Sequence, residues 1–513
     1  MSTNTYTAVT IGPIYKTIEK ARSVKAFWTA SYMFSWIMKR LLEEYPHRDL
    51  IISPCLPQDD DSFRGLKHKV GLFPDRLFIA GDAKADIEKI KEKVLIELAE
   101  EFKNTLVTKA NRERKLVDFQ DYLKNYISIS TITLKGLDSG VLKTLNEYLD
   151  TQELFSKSSP QSEDYIEKFI KDHENCFLKD FKEGSSRPFA STSEIAVSGW
   201  LSKKEIEKAL NENDKSEIGY TKLTHKEGYR NCYKYLAIIN ADGDNFGKYI
   251  KKLSNREEMQ DFAQLFFDFS VNVTKKLMDK TKAVPVYIGG DDLKLFTPIL
   301  EGESEKDIFR LIDIIDECFR EFWKKLQTSE KLSMSYGVSI FYHKSPMSEA
   351  LKVADDMLEK AKSTKGKDAV AISIQKHSGQ KIEFRLPCKH STSVPVDQEP
   401  TTLYAEACEL IKAFKGDVPM INSLIYWFEE MYEVIFTDSV VKDERRIKAV
   451  FDNFFDESTH KEHHKEDRFF DRLQKFIYKM HNDKDAPQGL KEKKALLHGI
   501  LRYCQFVTAK DEK

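Results

Sequence analysis

The sequence predicts an α+β protein: two units of like plan, a helical connector between them and a C-terminal helical bundle. Three observations carry this. Strand-length apolar runs and long stretches of helical period follow one another in the order β-α-β-β-α-β near the N-terminus, and an α/β unit of similar plan follows past the middle of the chain. That order is the ferredoxin-like arrangement. Residues 137–225 are polar, mostly helical in character and broken by loops such as SKSSPQSED. Beyond a polar, Pro-containing stretch at 390–400, only amphipathic helical patterns remain. The expected domains are 1–136, 137–230, 231–390 and 401–513, in keeping with about three or four domains for this length.

In the first unit, TYTAVTIG at 5–12 reads as a strand ending at Gly12-Pro13. A helix over 14–45 follows, with Trp28, Tyr32, Phe34, Trp36, Leu41 and Leu42 at mostly helical spacing, closed by Pro46. LIIS at 50–53 and RLFIAG at 76–81 are strand-like, and 84–105 places Ile87, Ile90, Val94, Leu95 and Leu98 on one helix face. ISISTITL at 127–134 is rich in β-branched residues, as strands are. In the second unit, strands are expected at 234–240, 284–290, 333–342 and 369–374, with helices at 256–280, 304–326 and 347–363. The two units share element order, not residues.

Composition narrows the function classes. The 81 basic and 83 acidic residues leave a net charge of −2, which excludes a global cationic field for nucleic acid. No apolar run approaches the ~18 residues of a membrane-spanning helix. The N-terminus lacks the basic and apolar regions of a secretory signal. The seven cysteines stand singly with no C-x-x-C pair, so neither a zinc ribbon nor a disulfide framework is supported, and a reducing cytoplasm is the expected location.

Three segments could carry chemistry. In Tyr287-Ile288-Gly289-Gly290-Asp291-Asp292-Leu293, two glycines precede two acids after an apolar strand, which describes a tight hairpin with carboxylates at its tip. Glycine lets a phosphate approach the backbone, and adjacent acids offer oxygen ligands to a hard divalent cation. Asp242-Gly243-Asp244-Asn245-Phe246-Gly247-Lys248 follows the apolar run LAIIN, and a strand ending in D-x-D suits metal-binding carboxylates of phosphoryl transfer. Each segment in isolation reads equally as a solvated turn. The third comprises Ser335-Tyr336-Gly337-Val338-Ser339, Ala354-Asp355, and Ala361-Lys362-Ser363-Thr364-Lys365-Gly366-Lys367. Its lysines could reach a polyphosphate, though a solvated helix end favours lysine as well.

Taken together and in this order, the three segments resemble the catalytic domain of the GGDEF and class III nucleotidyl cyclases. This chain has one extra residue before Gly366, and Asp-Asp in place of Asp-Glu-Phe, which argues against a diguanylate cyclase. Thr10-Ile11-Gly12-Pro13, Ala21-Arg22, Phe27-Trp28-Thr29-Ala30-Ser31-Tyr32 with Ser35, Pro74-Asp75-Arg76-Leu77-Phe78 and the RPFASTSEIA run at 187–196 resemble the large subunit of the type III-B CRISPR effector, the Cmr complex. With DGDNFGK, these motifs identify the chain as a member of that polymerase/cyclase family, with two palm domains and a GGDD site in the second.

The resemblance implies an RNA-guided antiviral effector. Guide CRISPR RNA and target RNA would be held through other Cmr subunits, with no membrane partner. Target binding would switch on synthesis of a nucleotide second messenger from ATP. Asp242, Asp291 and Asp292 would hold Mg²⁺ or Mn²⁺, with help from the Gly243 carbonyl and with Asp244 either ligating or orienting. Asn245, Phe246, Gly289, Gly290, Lys362 and Lys367 would bind the nucleotide. In most relatives the product is cyclic oligoadenylate; in some, AMP is joined to S-adenosylmethionine as co-substrate. A vestigial site on a non-catalytic scaffold is the alternative that the intact motifs disfavour. The first palm, lacking the glycine-acid hairpin, would hold an acceptor nucleotide. Many relatives carry an HD nuclease domain and a zinc site of paired cysteines. Here no His-Asp dipeptide occurs, and Cys176 and Cys232 stand alone, so neither DNA cutting nor zinc is expected. The cluster His460, His463 and His464 reads as solvated, as does the LKEKK run at 490–494.

Overall fold

The computed structural model describes residues 4–55, 70–106, 112–137, 139–155, 164–172, 191–209, 217–224, 230–302, 306–387, 402–414, 416–455 and 468–510. Cys176, the histidine cluster at 460–464 and residues 187–190 of the RPFASTSEIA run lie outside them.

The first unit contains β1 (Thr5–Gly12), α1 (Ile14–Ile18), α2 (Val24–Glu44), β2 (Ile51–Ser53), β3 (Arg76–Ala80), α3 (Lys84–Leu106), α4 (Arg112–Tyr126) and β4 (Ser128–Lys135). The sheet runs β2-β3-β1-β4, all antiparallel, the order a ferredoxin-like unit requires. The single helix expected over 14–45 is two. Ser23, in extended backbone, accepts a hydrogen bond from the Ala26 amide and caps α2, so a new helix starts there. An additional helix, α4, precedes β4.

Helix α5 (Val141–Phe155) belongs to this unit, although the sequence places it in a connecting domain. It covers the sheet face that carries Thr10 and its cross-strand partner Arg76, and Glu153 accepts hydrogen bonds from both. Among the described residues, the rest of the connector holds α6 (Tyr165–Asp172), packed on α2 and α3, and α7 (Thr192–Ser198), α8 (Lys203–Ala209) and α9 (Glu217–Thr224). The last three gather a small apolar core of Val197, Ile206, Tyr220 and Leu223.

The second unit contains β5 (Tyr235–Asp244), α10 (Phe246–Ile250), α11 (Arg256–Lys280), β6 (Val284–Gly289), β7 (Asp292–Pro298), a short β8–β9 pair (Leu300–Glu301, Lys306–Asp307), α12 (Ile308–Leu326), β10 (Ser333–Tyr342), α13 (Met347–Lys362), β11 (Val370–Gln375) and β12 (Lys381–Leu386). Its six-stranded sheet runs β12-β11-β10-β5-β7-β6. The inner order β10-β5-β7-β6 repeats the ferredoxin-like plan. β11 adds in parallel to β10 through the crossover helix α13, and β12 closes the edge as an antiparallel strand. Helices α11 and α12 pack on each other on one side of the sheet, while α13 lies against β10, β5 and β11. Gly337 permits that approach: a Cβ there would lie 2.2 Å from the Leu358 amide nitrogen.

The two units share one hydrophobic core. Phe73 stacks on Phe267 at 5.8 Å, and Phe27 meets Phe296 edge-on at 5.9 Å. Among the described residues six helices follow: α14 (Leu403–Ala413), α15 (Val418–Ile435), α16 (Asp438–Val441), α17 (Glu444–Phe454), α18 (Phe469–Asn482) and α19 (Leu490–Thr508). Trp427, in α15, packs among Phe428, Phe436, Phe451 and Phe455, so these aromatics are core to this region, while Tyr426 points outward. Helix α19 docks on β12, with Gly499 against the Phe384 ring. No helix among the described residues is long and apolar enough to cross a membrane.

Candidate active site

The second sheet brings the two acidic motifs together. β5 is central, flanked by β10 and β7, and Ala241 lies opposite Leu293, so the chain end Asp242-Gly243-Asp244 emerges beside the β6–β7 tip. Gly289 pairs with Asp292, which leaves a two-residue loop of Gly290 and Asp291. Gly290 takes φ +74°, the left-handed backbone that two-residue hairpins demand of their first position when it is glycine. Its amide donates to Ser270 Oγ of α11 at 3.0 Å, and a Cβ on it would press the Phe266 ring at 2.9 Å. The tip is therefore fixed in conformation and in position.

Gly243 makes the junction of strand and hairpin. A Cβ on it would lie 2.3 Å from the Phe246 ring and 2.7 Å from Asp291 Cβ. Phe246 itself is buried among Phe262, Phe266, Phe319 and Phe322. It forms the floor beneath Gly243, which corrects its expected role as a nucleotide contact. Asn245 takes a left-handed φ of +66°, starts α10 and donates from its side chain to the Lys331 carbonyl.

The electrostatics are those of crowded acids. Burial and then the Asp242 and Asp292 charges push the Asp291 carboxyl up to about 7. Burial raises Asp292 to about 6, opposed by Lys294 and reinforced by Asp242, Asp355 and Asp75. Burial also raises Asp242, while Lys362 pulls it back: the Lys362 ammonium lies 2.5 Å from Asp242 Oδ2. Lys367 adds a smaller field of the same sign at Asp242. Lys362, expected at a phosphate, is thus the counter-charge of the strand-end acid.

Several participants escaped sequence reasoning. Lys294 and Asn240 both donate to Asp355 Oδ1, at 2.9 and 2.7 Å, placing the Ala354-Asp355 acid on the same sheet face as Asp242. The first unit supplies Asp75, whose carboxyl burial raises, and Tyr15, whose phenol burial raises and which feels Lys294 and Asp292. Tyr287 lies between the units, its ring against Gly71 and its hydroxyl pushed far up by burial near Asp292 and Asp75. Only a register-resolved sheet could reveal these, because their neighbours lie some 60 to 280 positions away in the chain.

Would these residues hold a divalent cation? Their chemistry fits: all-oxygen donors, and acids raised first by burial and then by one another's charge, with Lys362 and Lys294 opposing. Among the described residues, however, no three His, Cys, Asp or Glu side chains stand at metal-holding spacing. Cys232 is buried, its thiol pushed up to about 12, with Sγ donating to the Val507 carbonyl.

Residues 235–371 match the model of the Cas10/Cmr2 second palm domain, and residues 6–109 that of the N-terminal region of CRISPR-associated protein Cmr2. The CRISPR system Cmr subunit Cmr2 of Pyrococcus furiosus is 29% identical over 258 residues, covering 44% of this chain and 27% of that protein. The matched stretch thus spans well under half of the relative's length. A chain in the cryo-EM structure of a type III-B Cmr-beta complex in the apo state superposes with TM-score 0.58 at 12% identity, over 98% of this chain and 82% of that one. A Csm1-Csm4 cassette crystallised with AMPPNP gives TM-score 0.49 at 12% identity, over 93% and 69%. Over residues 6–109 and 235–371 this chain is thus similar to the N-terminal region and second palm domain of Cas10/Cmr2 proteins, and over nearly its whole length it shares the fold of a chain of the Cmr-beta complex.

Proposed function

We propose that this chain is the nucleotide-cyclising large subunit of an RNA-guided Cmr-type effector, joining ATP units into cyclic oligoadenylate when the assembly binds target RNA. The observation that carries the reading is the meeting of Asp242 with Asp291 and Asp292, where the strand end of β5 lies beside the hairpin tip and the three carboxylates act on one another.

In this reading Asp242, Asp291 and Asp292, with the Gly243 carbonyl, hold Mg²⁺ or Mn²⁺. Bound there, the cation lowers the pKa of an acceptor 3′-hydroxyl and offsets charge on the α-phosphate and departing pyrophosphate. The new bond joins the acceptor oxygen to the α-phosphorus; the bond to the β-phosphate oxygen breaks. Lys362 neutralises Asp242 in the metal-free chain and is released toward the β- and γ-phosphates when a cation replaces it. Lys367 serves the same phosphates, and Gly289 and Gly290 let them approach the hairpin backbone. Tyr15 and Asp75 carry the first palm to the edge of this site, where an acceptor nucleotide would lie. Guide and target RNA, and the other Cmr subunits, are partners in this reading.

The test is to incubate the assembled complex with target RNA, labelled ATP and Mg²⁺ or Mn²⁺, and to identify products by mass. The D291A/D292A double variant should lose synthesis by at least 100-fold, the scale at which removing transition-state electrostatics acts, and still bind guide and target RNA. Undiminished product from the double variant would reject the assignment.

A further inference from the structure

Asp242 and Asp244 sit two residues apart on one strand and face the same side of the sheet, yet their surroundings differ. Asp242 faces Lys362 and acts on both hairpin acids. Asp244 is fully buried. Its Oδ2 accepts three hydrogen bonds: from Ser333 Oγ at 2.8 Å, Ser335 Oγ at 2.8 Å and the Asp368 amide at 3.0 Å. Its Oδ1 is buried with no hydrogen-bond partner. The charges that act most on Asp291 are those of Asp242 and Asp292.

The Asp368 amide belongs to an unusual turn. Gly366, Lys367 and Asp368 take φ of +86°, +59° and +50° in succession. Glycine adopts that region freely, but two consecutive residues with side chains do not, and such backbone persists only where its surroundings over-determine it. The restraints are visible. The Lys367 amide donates to the Thr364 carbonyl, the Asp368 amide to Asp244, and the Ala369 carbonyl accepts from the Tyr336 amide of β10. Of these, only the bond from Asp368 to Asp244 ties the turn to β5, the strand that carries Asp242.

From this geometry we infer that Asp244 is a positioning residue and not a metal ligand: it clamps the left-handed turn Gly366–Asp368 to the end of β5 and so aims Lys367 at the acidic site. The inference rests on the functional reading above. It separates two carboxylates that the D-x-D spacing leaves equivalent: Asp242 faces the cation, and Asp244 spends its Oδ2 on two serines and the turn.

The experiment uses the full chain with three single variants, D242N, D244N and D244A. Three quantities are read: Mn²⁺ binding by calorimetry without nucleotide, deuterium exchange of the 365–369 segment, and KM and kcat for ATP in the assembled complex. Asparagine keeps a neutral acceptor for the Asp368 amide but is a far poorer cation ligand, so D244N should bind Mn²⁺ within about twofold of the parent and keep the turn protected. D244A should also keep Mn²⁺ affinity, but its turn should exchange at least tenfold faster and its KM for ATP should rise several-fold, with kcat changed much less. D242N should lose Mn²⁺ binding. If D244N weakens Mn²⁺ binding as much as D242N does, Asp244 is a ligand and the inference falls. It falls equally if D244A leaves the exchange of the turn unaltered. If D242N binds Mn²⁺ like the parent, the metal-site reading fails instead, and the exchange data judge the clamp by themselves.

Discussion

Only a residue without a Cβ fits at position 243, because the Phe246 ring and Asp291 Cβ already occupy the space. Gly243→Ala should therefore push the hairpin tip off β5, destabilising the chain by roughly 1–3 kcal/mol and lowering synthesis. Denaturant melts and product yield check it, and a stable, fully active alanine variant would contradict the packing. The acids next to it give the opposite sign. Burial first, then neighbouring charge, raises both carboxyls above a free one, so stability falls as pH rises from about 4 to about 7 for Asp291 and to about 6 for Asp292, and the full cost stands above those values. Asp291→Asn should thus stabilise the metal-free chain at pH 8, by about 1–2 kcal/mol, while synthesis collapses. At this scale the sequence was informative wherever chemistry and backbone demand coincide: Asp242, Gly243, Gly290, Asp291 and Asp292 announce themselves. It was silent where one residue type serves two ends. Phe246 in a motif reads alike as floor or as ligand contact, and Lys362 pairs with an acid 120 positions earlier in the chain.

Asp307 shows how an element end can carry a titration. It caps α12 by accepting from the Phe309 and Arg310 amides, and the Tyr503 hydroxyl of α19 reaches its other oxygen. Burial pushes this carboxyl up to about 6. The fold then holds a proton that the unfolded chain releases nearer pH 4, so stability falls as pH rises through that window. Asparagine keeps the cap, and Asp307→Asn should flatten that part of the stability-against-pH profile, by roughly 1–3 kcal/mol, in thermal melts between pH 4 and 7. An unchanged profile would show that the proton is held elsewhere. Most elements were legible from period and composition alone. The exceptions have local causes. Ser23 restarts a helix inside an unbroken apolar pattern, and β12 (KIEFRL) is an edge strand whose alternation is too short to stand out beside charged neighbours.

Across the whole molecule, the two palms are joined by stacked aromatics and by backbone. Gln260 Nε2 of α11 donates to the Asp49 and Ile51 carbonyls at 2.9 and 2.6 Å, and Phe73 lies on Phe267. The palms should therefore melt as one body. Phe267→Ala, which empties a buried site at that seam, should cost about 3–5 kcal/mol and lower the transition of both together in calorimetry. Two resolved transitions would show independent units. The chain's near-neutral charge gives it no broad cationic field with which to capture RNA by itself. The isolated chain is expected to make little product with target RNA, against strong synthesis by the full complex at equal concentration. The two α/β units could be read ahead of the structure from their alternating strand and helix patterns. The docking of α5 on the first sheet could not, since Glu153 finds Thr10 and Arg76 only once the sheet exists.

One contact between the palms involves no side chain. The Gly71 amide donates to the Val286 carbonyl, and the Ile288 amide donates to the Gly71 carbonyl, so a single residue of the first palm extends the edge of the second sheet beside β6. β6 runs directly into Gly289, Gly290 and the two acids. Main-chain bonds of this kind have no rotamers in which to lose motion, so they behave as a stiff coupling rod. A pull on residues 70–73 reaches the carboxylate tip within one strand length, and a signal that shifts the first palm has a mechanical route to the acids.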